Sequence, residues 1–286
     1  TIASVNNGWN DLGNIDLTSL HFVYSGGNIT FINAIELDGK LLVNSGVSLT
    51  NVPSIASEVK ANPSAGFSIV KWEGDGQIGR TIAHSLNKTP EFIIAKNLTA
   101  SVRWAVYTKT VGPGNSLILN DTTGPTGGTG IWGNVDPTST VFTVGADSEV
   151  NTDGSDYIAY CFTPIEGYSA VGSYIGNQNA NGPFVYLGFR PRWILLRKAD
   201  GGGTGYDWHM FDSERDPTNQ MSRFLGANTS QQKQVRSDGA NYTDMYLDFL
   251  SNGFKWRNAY SSPNNSDAPF VYLAFAEHPF NTSRAR

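Results

Sequence analysis

A single cysteine, Cys161, stands in a chain of 286 residues, so no disulfide can form within it. It lies in the apolar run DYIAYCF, where a buried thiol is expected rather than a nucleophile. Charge is scarce as well. Asp, Glu, Lys and Arg make up 16% of the chain, against about a quarter in an ordinary globular protein. The net charge of −5 is spread without a block of one sign. No basic face for phosphate is apparent, which excludes nucleic acid as an expected ligand. No apolar run approaches the roughly 20 residues of a membrane-spanning helix, so membrane insertion is not expected, and no signal peptide is visible. The four histidines, His21, His84, His209 and His278, have no carboxylate or Cys at metal or triad spacing. His84 adjoins Ser85, but adjacent strand residues point to opposite faces. No G-x-S-x-G elbow occurs. The chain starts at Thr1 rather than Met, so it is expected to be a processed product or part of something longer.

What the chain does have is 31 Gly, many Asn, Ser and Thr, and 12% aromatic residues. This suits short strands and tight turns. It also repeats itself. GFSIVKWEGDG from Gly66 returns as GYSAVGSYIGN from Gly167, and TPEFIIAKN returns as RPRWILLRK, with Pro90 against Pro191. Trp104 then matches Trp208 and Tyr107 matches Phe211. NSLILNDT against MSRFLGANT places Leu119 on Leu225, and TVFTVGADSE against LDFLSNGFKW places Gly145 on Gly253. Both copies close on an apolar run, DYIAYCF and PFVYLAF. Six segments in one order indicate two copies of one unit. The near-identity of PFVYLGF and PFVYLAF is a different matter, because their flanks do not continue the match.

Short β-branched and aromatic runs divided by turn residues predict an all-β fold. The expectation is two homologous β-sandwich units in tandem, jelly-roll or lectin-like, over residues 66–166 and 167–286. Residues 1–43 contain a few strands, read as the end of an upstream module or as additions to the repeat domain. Residues 44–65 are read as a linker with a short helix, in which Ser54 caps, Ile55 and Val59 share a face, and Pro53 and Pro63 bracket the turn.

Three motifs were candidates for chemistry. GDGQIG spells G-x-G-x-x-G after a strand, but no helix pattern follows to hold a pyrophosphate, so a hairpin tip is expected. Asp147, Glu149, Asp153 and Asp156 could offer oxygens to Ca²⁺, or a carboxylate pair to a glycosidase. The second copy has Lys255 and Arg257 where Asp147 and Glu149 stand, which favours a solvated hairpin. Trp72, Trp132 and Trp256 sit beside polar or Gly-rich segments, as does Trp9. Such rings can stack on sugars while amides bind hydroxyls, or they can simply fill a core. No catalytic residue, no cofactor and no firm metal site is assigned.

The run NVPSIASEVKANPSAGFSIVKWEGDGQIGRTIAHSLNKTPEFIIAKN resembles a domain of tail-fibre-like and other virion structural proteins of marine bacteriophages. PTSTVFTVGADSEVNTDGSDYIAYCF, GPFVYLGFRPRWILLRK, FLSNGFK and VYLAFAEHPF resemble it in the same order. The resemblance implies a non-enzymatic virion protein, assembled in the host cytoplasm and exposed on the particle. Its implied partners are other virion proteins, copies of itself with a trimer favoured over a dimer, and a host-surface glycan or protein. A lectin-like adhesin and a polysaccharide-degrading virion enzyme are the competing expectations.

Overall fold

Alternating apolar residues with frequent turn chemistry produce strands almost throughout. The computed structural model describes residues 35–37, 40–42, 53–128, 130–201, 206–230, 245–259 and 261–278. Strands β1 (Ile35–Leu37), β2 (Lys40–Leu42) and β3 (Ser57–Asn62) lead into the first repeat. That repeat comprises β4 (Phe67–Glu73), β5 (Arg80–Ala83), β6 (Phe92–Asn97), β7 (Ala105–Thr108), β8 (Asn115–Ile118), β9 (Thr126–Gly127), β10 (Val141–Val144) and β11 (Asp156–Phe162). The second comprises β12 (Ser169–Ile175), β13 (Phe184–Tyr186), β14 (Pro191–Lys198), β15 (His209–Asp212), β16 (Leu225–Gly226), β17 (Leu247–Leu250), β18 (Gly253–Trp256), the one-turn helix α1 (Ser261–Asn264) and β19 (Pro269–Ala276).

The two halves share one topology. β4-β11-β6-β7-β8 are neighbours in one large sheet and β12-β19-β14-β15-β16 in another, strand for strand the same order. A small sheet accompanies each: β5-β10 in the first half, β13-β18-β17 in the second. Each small sheet covers the inner face of its large sheet, making an all-β, two-layer sandwich with its own core. The cores repeat in detail. Trp72 stacks on Tyr157 at 5.3 Å with Phe142 edge-on at 5.7 Å, and Tyr174 stacks on Phe270 at 5.1 Å with Phe254 edge-on at 5.8 Å. Two buried amides also match. Asn151 Oδ1 accepts from the Asp75 N–H and its Nδ2 donates to the Gln77 carbonyl; Asn264 does the same with Asn177 N–H and the Asn179 carbonyl.

The outer faces of the two large sheets pack on each other. Phe92, Val106 and Leu117 meet Leu195, Trp208, Val271 and Leu273 in a third buried cluster. Arg197, fully buried, reaches from the second repeat into the first, where it donates to the carbonyls of Ile118 at 2.6 Å, Asp121 at 3.2 Å and Thr123. The Trp208 indole donates to the same Ile118 carbonyl at 2.7 Å and lies under the guanidinium. Burial pulls the Arg197 pKa down to about 10, countered by Asp121 and Asp207, so the cation persists at neutral pH.

Several expectations change. Residues 57–62 are a strand, not part of a helix: β3 runs antiparallel to β4 from Ser57↔Trp72 to Asn62↔Phe67. A helix so short is marginal alone, and the ladder along β4 satisfies the same backbone groups better. Ser54 does not cap a helix; its hydroxyl accepts the Thr81 N–H at 2.7 Å. β2 pairs with β3, so the strands at 35–42 extend the first large sheet; the rest of residues 1–43 lies outside the described residues. The repeat alignment also shifts. Pairing of β7 with β8 and β15 with β16 makes Leu117, not Leu119, the counterpart of Leu225. Pairing of β5 with β10 and β13 with β18 puts Gly253 opposite Val141 of the first copy, not Gly145, so Lys255 and Arg257 are not the counterparts of Asp147 and Glu149. Trp72 corresponds to Tyr174, one residue out from the register of the opening glycines. A strand read in the wrong register by one residue reverses its faces, and ungapped matching cannot sense that.

The inter-repeat contact should carry much of the stability. Trp208→Ala is expected to cost about 3–5 kcal/mol, and Arg197→Met about 1–3 kcal/mol for stranding buried carbonyls. Urea unfolding followed by far-UV circular dichroism measures both. Trp104→Ala, at the half-buried equivalent position, should cost clearly less; equal losses would refute the assignment.

Candidate functional site

Strand alternation sends Val70 and Trp72 to the inner core and leaves Phe67 and Ile69 on the outer face of β4. On β11 it sends Tyr157, Ala159 and Cys161 inward and leaves Tyr160 and Phe162 outside. Phe67 lies directly across from Phe162, with ring centroids 5.0 Å apart, and Tyr160 runs parallel to Phe67 at 6.5 Å. Phe162 meets Phe275 of the second repeat at 6.1 Å, and Phe275 meets Tyr168 at 5.9 Å and Trp193 at 5.8 Å. The rings therefore form a ladder that runs from the inter-repeat contact to the surface. Phe67, Tyr160, Phe162, Tyr168 and Phe275 line a groove of about 430 Å³ together with Asn62 and Ala65. The Asn62 amide oxygen accepts from the Ser64 hydroxyl at 2.7 Å and the Ala65 N–H at 3.2 Å, which fixes this rim. No lining residue is charged. Half-buried rings on two rigid sheets suit the apolar face of a sugar or an apolar side chain.

The tryptophans named from the sequence do not serve this way. Trp72, Trp132 and Trp256 are at most 2% exposed and belong to the sandwich cores. Their polar neighbours are loops that close the sandwich ends over them; the Trp72 indole donates to the Val150 carbonyl at 3.2 Å. Trp9 lies outside the described residues. The acidic candidates are dispersed as well. Glu149 is buried against Arg103 at 2.6 Å, Asp147 orders its own turn by accepting from Glu149 N–H at 3.4 Å, Asp156 is 3.8 Å from Lys71, and Asp153 is exposed. Among the described residues, no group of three or more His, Cys, Asp or Glu is placed to hold a metal ion. The 145–155 segment is not a hairpin, because it crosses from β10 in the small sheet to β11 in the large one. GDGQIG is not a hairpin tip either: it crosses from β4 to β5 and is pinned by Asn151. Cys161 is buried, and burial pushes its pKa up to about 12. Phe67, Tyr160 and Phe162 were missed, although apolar residues on both faces of FSIVKWE and DYIAYCF signal a second covered surface.

His84 and His209 are buried. Burial lowers each pKa to about 4; a hydrogen bond to the Thr138 carbonyl opposes this at His84, and Asp207 opposes it at His209. The His84 Nε2 donates to Thr138 O at 3.1 Å while Nδ1 accepts the Leu86 N–H at 3.2 Å, an arrangement only the neutral ring satisfies. Between about pH 4 and 6.5 the unfolded chain binds more protons than the folded one, so stability falls as pH drops through that window. Each histidine should account for about 3 kcal/mol of the loss. Urea midpoints at pH 7 and 4.5 should converge in the His84→Gln, His209→Gln double variant; an unchanged pH dependence would count against this.

No characterised protein and no solved structure matches the chain. One family does: residues 41–279, from β2 through the last strand and including the groove, the inter-repeat contact and both cores, match it along their length. The chain belongs to the family described as a domain of unknown function (DUF7483).

Proposed function

We propose that the protein is a non-enzymatic virion structural component of the tail-fibre or capsid-fibre type, serving attachment to a host surface. The resemblance of its sequence to phage virion proteins supports the origin. The observation that carries the attachment role is the aromatic ladder Tyr160–Phe67–Phe162–Phe275, half-exposed at the contact between two rigid sandwiches. A rigid platform loses little conformational entropy on binding, so modest aromatic area suffices. Oligomerisation with copies of itself, a trimer first, belongs to the same reading by analogy with fibres. The groove also favours a lectin-like reading, in which the occupant is a host glycan.

Binding of the purified chain to host cells and to a glycan array, with and without Ca²⁺, separates these readings. Phe67→Ala and Tyr160→Ala together should weaken host-cell binding about tenfold or more, measured at a temperature where far-UV circular dichroism shows the variant folded. Retained binding in the double variant would remove the groove from the proposal. Release of reducing ends from host polysaccharide, lost on Asp153→Asn or Asp156→Asn, would replace it with an enzymatic reading. Light scattering at micromolar concentration tests self-association.

A further inference from the structure

The two repeats differ in the covering of their open edges. In the first repeat, residues 53–62 cover both sheets. Ser54 and Ile55 donate N–H groups to the Thr81 carbonyl on β5, at 2.8 and 3.2 Å, and β3 then pairs along β4 from Trp72 to Phe67. Ile55 enters the core and Val59 packs against it. In the second repeat the matching strands are β13 and β12, and neither has a second neighbour among the described residues. On β13, Pro183 O accepts from Trp256 N–H and Leu187 N–H donates to Asn252 O, so Phe184 and Tyr186 direct their backbone groups away from β18. On β12, Tyr168 O and Gly176 N bond toward β19, so Val171, Ser173 and Ile175 face outward in the same sense.

These edges lack the usual protection. Native edge strands are blunted by charge, proline or a cover, yet SAVGSYI and FVY contain no charged residue and no proline. Three of the six exposed large hydrophobics among the described residues stand there: Ile175 at 56%, Phe184 at 43% and Tyr186 at 68% exposure. The chain cannot supply the cover from the equivalent place in its sequence. Residues 163–168, between β11 and β12, are taken up by a tight turn in which Ile165 pairs with Ser169.

We propose that the second repeat accepts, along β13 and β12, an extended strand from a partner polypeptide, patterned as residues 53–62 are. The incoming strand hydrogen-bonds the outward groups of Phe184, Tyr186 and Ser173 and places alternate apolar side chains over the sandwich end, as Ile55 and Val59 do in the first repeat. This inference does not depend on the virion reading.

A fluorescent peptide of residues 51–64 (NVPSIASEVKANPS) titrated with the full chain tests it by anisotropy. Saturable binding is expected, weakened about tenfold or more by Tyr186→Pro or Ser173→Pro. Either proline removes an outward N–H while leaving the inward pairing intact, as edge strands tolerate; unchanged urea midpoints verify folding. A peptide N-methylated at alternate amides should not bind. Absence of saturation up to about 1 mM would overturn the proposal. So would binding indifferent to both prolines, since the peptide would then be displacing 53–62 from the first repeat. Self-association of the chain abolished by Tyr186→Pro would show that a second copy's β13, not the proposed strand, fills the edge.

Discussion

The packing of the two large sheets, outer face on outer face, is the constraint on which the rest depends. It buries Phe92, Val106 and Leu117 against Leu195, Trp208, Val271 and Leu273. Each large sheet is thereby covered on both sides, by its small sheet within and by the other repeat without. That is why FIIAKN and RWILLRK read as continuous apolar runs rather than as an alternation, as strands buried on both faces do. Hydrophobic burial at this contact scales with area and has no direction of its own; the Arg197 and Trp208 hydrogen bonds to Ile118 O add direction.

Duplication kept the cores and changed the surfaces. Trp72 on Tyr157 and Tyr174 on Phe270 occupy the same place, and Asn151 and Asn264 pin the same crossing. These groups are enclosed within one repeat, so their environment did not change when the unit was copied. Lys96 and Arg197 occupy equivalent strand positions and do different work. Lys96 donates to the carbonyls of Ala100 and Val102 in its own repeat, whereas Arg197 crosses into the other. The longer, planar guanidinium can satisfy several carbonyls at once, which a single ammonium reaches less well.

The aromatic groove is a consequence of the same contact. Where sheet covers sheet, rings such as Phe92 are fully buried; at the margin, Phe67, Tyr160 and Tyr168 are only half covered. The sequence cue that singled out Trp72, Trp132 and Trp256, polar residues next to a large ring, described sandwich ends instead. A loop that closes over a core must itself be polar, so polar neighbours say little about whether the ring beneath is exposed.

The all-β class, the tandem duplication and the buried state of Cys161 were legible in the chain, because strand propensity, turn chemistry and the order of repeated segments are local properties. The neutral setting of His84 was only partly so: adjacency argued against a His84–Ser85 pair, but the Leu86 N–H and the Thr138 carbonyl that hold the ring come from the tertiary fold. Tertiary structure alone decided that Ser57–Asn62 is a strand, because the edge of β4 offers a longer ladder than one helical turn can. It alone set the register that makes Leu117 rather than Leu119 the counterpart of Leu225, since register is defined by pairing with the neighbouring strand. It alone decided which aromatics lie at the surface, because exposure depends on what packs opposite, and here the opposing surface is encoded about a hundred residues away in the other copy.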